Sequence, residues 1–170
     1  MPTARRTRRK VFLSHSHKDR VFVERLAKVL GQHRVAYWYS ETQIGGGEQW
    51  HDEIGRGLAQ CNWFLVVLTP ASVRKTRLNW VKRELLFAYK EPRYAEKIIP
   101  VLLKRCKYSQ LSWLLDESQF VNFTRDFESG CQKLMQIWKL DFRTASAAEA
   151  AKRTGRKSAK KPVKKTRRRT

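Results

Sequence analysis

The sequence predicts an α/β fold, a flavodoxin-like doubly wound sheet of five parallel strands, and three observations carry that reading. Between residues 11 and 142, short β-prone runs alternate with stretches of helical period. The run Trp63 to Leu68 is wholly apolar, as a strand covered on both faces must be. With 170 residues and 41% apolar content, the chain suits one domain around one core.

The expected strands are Val11 to Leu13, Val35 to Tyr39, Trp63 to Leu68, Lys97 to Leu103 and Phe120 to Phe123. Pro100, which has no N–H to give a ladder, is expected toward a sheet edge or an irregularity. A first helix should begin near Asp19 as N-cap, bury Phe22, Leu26, Val29 and Leu30, and stop at Gly31. A second, from about Glu48, sets Trp50, Ile54, Leu58 and Cys61 on one stripe. The third starts at Asn79 and buries Val81, Leu85 and Ala88. The last runs from about Phe127 to Leu140, with Phe127, Cys131, Leu134 and Trp138 inside. Residues 104 to 118 show no period, and Trp50, Trp63, Trp113 and Trp138 are expected in the core.

Charge divides the chain. Residues 1 to 10 carry five Lys/Arg and no acid, and residues 143 to 170 carry twelve against Glu149, so the total of +22 leaves +6 for residues 11 to 142. These segments read as a basic arm and a basic tail around one folded unit. The tail, rich in Ala, Ser, Lys and Arg, offers too little apolar surface to offset its ordering entropy and is expected to be disordered. Three cysteines without a Cys-x-x-Cys pair point to a reduced, cytoplasmic setting. The longest apolar run is six residues, so neither a membrane span nor a signal peptide is expected.

In a doubly wound sheet, the loops leaving the carboxyl ends of the strands converge on one crevice. The first offers Ser14, His15, Ser16 and His17 beside a helix start, where free N–H groups favour anions such as a diphosphate. The plainer alternative is that the serines satisfy turn backbone and the histidines are solvated. Two histidines two residues apart lack a third ligand, so no metal is expected. The second loop carries Trp38, Tyr39, Ser40, Glu41 and Gly45-Gly46-Gly47, and lacks the Gly-Lys-Ser/Thr ending of a P-loop. The third leads to Asn79-Trp80-Val81-Lys82-Arg83-Glu84, which places Glu84 early in a helix at the ligand-binding edge. A glutamate beside Lys82 and Arg83 is otherwise an ordinary solvated residue.

Five motifs in order carry a family resemblance: Phe12-Leu13-Ser14-His15-Ser16-His17-Lys18-Asp19, the Gly-rich loop leading to Trp50-His51-Asp52-Glu53-Ile54, Leu65-Val66-Val67-Leu68-Thr69-Pro70, Asn79 to Glu84, and Lys97-Ile98-Ile99-Pro100-Val101. Together they resemble the Toll/interleukin-1 receptor (TIR) domain family over about residues 10 to 140, and the chain looks like a stand-alone prokaryotic member. The resemblance implies strand order 2-1-3-4-5. It also implies cleavage of NAD, as substrate and without a further cofactor, by a glutamate at the place of Glu84. Breaking the nicotinamide–ribose bond builds an oxocarbenium-like cation that a fixed carboxylate would stabilise. The product would be linear, or cyclic when the adenine of the same molecule replaces water. Trp38 is the expected platform for the flat pyridinium, a contact worth roughly 0.5 to 2 kcal/mol. Trp80, four residues before Glu84, shares its helical face.

Enzymatic members commonly work as assemblies, so homo-oligomers and other TIR domains are the implied partners. The second loop departs from the family, with Ser40 and Gly45-Gly46 where an acidic residue and a Pro-Gly step are usual. A non-catalytic adaptor acting through TIR–TIR contacts is the alternative function. A third is nucleic-acid binding by the tail, whose residues 152 to 169 hold eleven Lys/Arg and no aromatic for base stacking. Attraction to anionic membranes or simple solubility would explain that charge equally well.

Overall fold

The computed structural model describes residues 9–39 and 48–143, with side chains of the second block from residue 52. The expectations for the arm, for Ser40 and the glycine triplet, for the Trp50 side chain and for the tail beyond residue 143 lie outside the described residues.

Five strands form one sheet: β1 (Lys10–Ser14), β2 (Ala36–Trp38), β3 (Trp63–Leu68), β4 (Ile98–Leu102) and β5 (Val121–Asn122). All pair in parallel, in the order β2-β1-β3-β4-β5. Among the described residues four helices alternate with them: α1 (Arg20–Gln32), α2 (Glu48–Gln60), α3 (Trp80–Lys90) and α4 (Phe127–Ile137). Strand alternation sorts the core into two layers. Val11 and Leu13 pack with Leu26 and Leu30 of α1 and Cys131 and Leu134 of α4. Phe12 faces the other way, onto Ile54 and Leu58 of α2 and Val81, Leu85 and Ala88 of α3. After β1 the chain crosses by α1 on one face, and after β3 by α3 on the other. The carboxyl ends of β1 and β3 therefore mark the switch point where such sheets bind ligands.

Several local expectations are corrected. Asp19 precedes α1, but its side chain caps nothing and is buried instead. Gly31 does not stop α1, because Arg34 adopts the left-handed conformation (φ 58°) that ends it. Val35 N–H then bonds to the Leu30 carbonyl and Arg34 N–H to that of Gly31, the paired bonds of a Schellman motif. The α1 side is filled by Val23, Leu26, Ala27 and Leu30, with Phe22 and Val29 only flanking it. Pro100 lies in β4, between β3 and β5. The β5 ladder begins only at Val101↔Val121, so no β5 partner is opposite the missing N–H. Trp113 is 68% exposed, since residues 104 to 118 form only short 3-10 turns at Tyr108–Gln110 and Trp113–Glu117. Trp63 is half-buried, whereas Trp138 is fully inside.

No described helix is long and apolar enough to cross a membrane. Cys61, Cys106 and Cys131 are all unpaired.

Candidate active site

Alternation along β1 turns Ser14, like Phe12, toward the layer that holds α3. The start of α3 is fixed by Asn79. Its Oδ1 accepts from Lys82 N–H at 3.0 Å, and its Nδ2 donates to the Ser72 and Arg74 carbonyls at 2.9 and 2.8 Å. One N-cap residue thus ties the loop after β3 to the first helical turn. One turn further, on the inner stripe with Val81, Leu85 and Ala88, stands Glu84.

Glu84 is 8% exposed, and its Oε2 accepts a hydrogen bond from Ser14 Oγ at 2.5 Å. Burial pushes its carboxyl up to about 7, against the opposing pull of the Ser14 hydroxyl. Its neighbours Lys82 and Arg83 lie on the exposed face, and Glu84 forms no ion pair among the described residues. A carboxyl of this kind is half-ionised near neutral pH and gains most when a positive charge develops beside it.

His15 follows directly. Its Nδ1 lies 3.0 Å from the Leu13 carbonyl, which can only accept, so Nδ1 carries the proton and Nε2 is left as an acceptor. Burial lowers its pKa, which keeps the ring neutral at pH 7. The ring meets Tyr39 edge-on at 6.0 Å. Ser16 takes the turn role, its carbonyl accepting from Asp19 N–H at 2.8 Å, and His17 is exposed.

Trp38 pairs in register with Phe12 and stacks on its ring at 4.8 Å. It also packs closely over Gly57 of α2. It therefore sits on the same sheet face as Ser14, two β1 residues further from the carboxyl edge. Trp80 packs against the α2/α3 core, with the Arg83 guanidinium 5.1 Å from its ring centroid. Ser40 lies outside the described residues.

Sequence reasoning missed a second buried carboxylate at this edge. Asp19 Oδ2 accepts from Thr69 Oγ1 at 2.7 Å, joining the loop after β1 to the one after β3. Thr69 Oγ1 in turn accepts from Ser72 N–H at 3.2 Å. Burial raises the Asp19 pKa, while the Thr69 bond and the Lys104 charge pull it down. The signal was present in a hydroxyl placed immediately after the apolar β3 run, but an aspartate before a helix reads first as a cap.

The parallel order β2-β1-β3-β4-β5, with a buried carboxylate bonded across the switch point, makes this a doubly wound α/β domain. The TIR domain family model matches residues 11–135. The chain belongs to the TIR domain family. Over 75 residues, 44% of this chain, it is 32% identical to the 2′ cyclic ADP-D-ribose synthase BtTIR of Bacteroides thetaiotaomicron, covering 25% of that protein. Over 76 residues, again 44% of this chain, it is 34% identical to the NAD(+) hydrolase TcpA of Theionarchaea archaeon (strain DG-70-1), covering 22% of it. The chain thus spans about a quarter of the length of these curated relatives.

Two solved structures share the fold. The TIR domain of the Toll-related receptor TRR-2 from Hydra magnipapillata superposes with a TM-score of 0.53 at 16% identity, over 86% of this chain and 97% of that one. The TIR domains of the activated Roq1 resistosome recognizing the effector XopQ give 0.54 at 14% identity, over 76% and 99%.

Proposed function

We propose that this TIR domain cleaves the nicotinamide–ribose bond of NAD, with Glu84 as the catalytic carboxylate. The observation that carries the reading is the Ser14–Glu84 pair, a buried carboxylate at the switch point that joins no ion pair among the described residues. The names of the two partial relatives agree with it.

As the C–N bond breaks, its electron pair leaves with nicotinamide, and C1′ of the ribose becomes cationic. The Glu84 carboxylate faces that charge and stabilises it by a few kcal/mol, more than the same group would in water. Water then adds to C1′ and releases a proton, giving ADP-ribose. Attack by a group of the same nucleotide gives a cyclic product instead. Ser14 holds the carboxylate in place and favours its charged form. The neutral His15 offers Nε2 to a ribose hydroxyl, and the N–H groups near the start of α1 face the diphosphate. Trp38 and Trp80 line the α2/α3 side. NAD acts as substrate only.

Incubation with NAD and mass spectrometry of the products tests this. Wild type should release nicotinamide, and Glu84→Ala should lose activity by roughly two to three orders of magnitude. Equal rates would end the assignment.

A second reading, association with other TIR domains, draws on one observation: Leu78, Leu86 and Phe87, before and on the outer face of α3, are exposed. Assembly through that face is compatible with catalysis, and a sample that self-associates without consuming NAD would favour an adaptor.

A further inference from the structure

A closed circuit of hydrogen bonds runs around the carboxyl edge of the sheet, from Ser14 through Glu84, Asn79, Ser72 and Thr69 to Asp19. Ser14 Oγ donates to the Glu84 carboxylate. Asn79 Oδ1 accepts the Lys82 N–H in the helical turn before Glu84, and Asn79 Nδ2 donates to the Ser72 carbonyl at 2.9 Å. Ser72 Oγ accepts from Thr69 N–H at 2.9 Å, while Ser72 N–H donates to Thr69 Oγ1 at 3.2 Å. The Thr69 hydroxyl donates onward to Asp19 Oδ2 at 2.7 Å. The backbone closes the circuit, because Ser14 and Asp19 bound the loop after β1.

Among the described residues six polar or charged side chains are buried, and five of them, Ser14, Asp19, Thr69, Ser72 and Glu84, lie on this circuit. The sixth, Ser112, caps a 3-10 turn. Burying hydroxyls and carboxylates carries a desolvation penalty, and an apolar pair would tie two loops together with less of it. What bonded groups add is a fixed distance and direction. Capping does not account for Asp19, which stands at the N-cap of α1 while its side chain bonds to no helical N–H.

The loop after β1 is thus tied at both ends, by Ser14 to α3 and by Asp19 to the loop after β3. His15 lies between the ties, and the bond from Asp19 N–H to the Ser16 carbonyl at 2.8 Å closes the turn that follows it. We infer that Asp19 is a positioning residue: by gripping Thr69 it fixes the loop after β3, and through Ser72 and Asn79 the start of α3, so that Glu84 and His15 keep one mutual placement. Asp19 touches no substrate in this role. Its effect on turnover rests on the NAD-cleaving reading, whereas its hold on Glu84 does not. A misplacement of about 1 Å can lower a rate about 100-fold, so a tie remote from the reacting carbon has kinetic weight.

Three variants of the full chain test this, each assayed below its melting transition. Thr69→Val removes the hydroxyl at nearly constant shape, Asp19→Ala removes the acceptor, and Thr69→Ser keeps the bond. In the first two, kcat for NAD should fall roughly 10- to 100-fold with KM within about twofold of wild type, and Thr69→Ser should stay near wild type. Either of the first two suffices if the other fails to fold. A second readout needs no NAD: the carboxyl carbon-13 resonance of Glu84, identified by its absence from Glu84→Gln. Burial is the larger cause of its titration near 7, so a loosened tie that admits water should move that titration down toward 4.5. Turnover would then fall while more of the carboxylate is ionised, which loss of position explains and loss of charge does not. A tether serving stability alone would lower the melting temperature and leave kcat and the Glu84 titration of the folded variants unchanged. Either of those unchanged values would overturn the inference. If Glu84→Gln itself consumed NAD at the wild-type rate, the Glu84 assignment would fall, and the titration alone would decide whether Asp19 holds that carboxylate.

Discussion

At the carboxyl ends of β1 and β3 the charged side chains that matter are carboxylates withdrawn from water, Asp19 and Glu84, each held by a hydroxyl. At the amino ends of the sheet they are cations held out into water, Arg34, Lys139 and Arg143. The same strands separate the two sets. Burial gives the first edge its chemistry, because a desolvated carboxylate has a shifted pKa and a strong local field. Exposure leaves the second edge hydrated, so its charges act only weakly on one another and are screened by salt.

Glu84→Gln should break this contrast most strongly. The folded carboxyl titrates near 7 and the unfolded one near 4.5, so the native state retains a proton that the unfolded chain has released. Stability therefore falls as pH rises through that window and levels off above it. The amide removes the slope, and the variant should be about 1 to 3 kcal/mol more stable than wild type at pH 8, with little difference at pH 4. Urea unfolding at the two pH values reads this directly.

Gly57→Ala is the next largest test. An added Cβ would lie 2.5 Å from carbons of the Trp38 ring, which is itself stacked on Phe12. Overpacking should exceed the gain in helix propensity and cost about 1 to 2 kcal/mol. A shifted Trp38 should also raise KM for NAD.

Ser14→Ala should act more gently, leaving Glu84 buried without its donor and moving its titration upward. Turnover at pH 7 should fall about 3- to 10-fold, with its rising limb displaced to higher pH. A loss of the same size at every pH would instead mean that Ser14 touches substrate.

Much of the fold was legible because the chain writes it in periods. Strand-like runs, helix stripes and the Asn79 cap led to an architecture that the strand pairing and the family match bear out. Tertiary context decided the remainder. Asp19 has the composition of a cap, yet Thr69, fifty residues away in sequence, captures its side chain. Gly31 looks like a helix stop, yet the left-handed position falls three residues later, on Arg34. Pro100 is tolerated inside the sheet because β5 is too short to reach it, a fact about another strand. Within the candidate site, Glu84 could be chosen from its place in a motif. Its bond to Ser14 depends on which face of β1 meets α3, and the clustering of basic residues at the far pole depends on where two helices end.

NAD turnover at pH 8 by wild type and Glu84→Gln, each checked for melting temperature, tests the account most directly. The amide variant should be at least as stable as wild type and should have lost turnover by two to three orders of magnitude, as expected for removal of a preorganised charge. A stable variant that consumes NAD at the wild-type rate would contradict it.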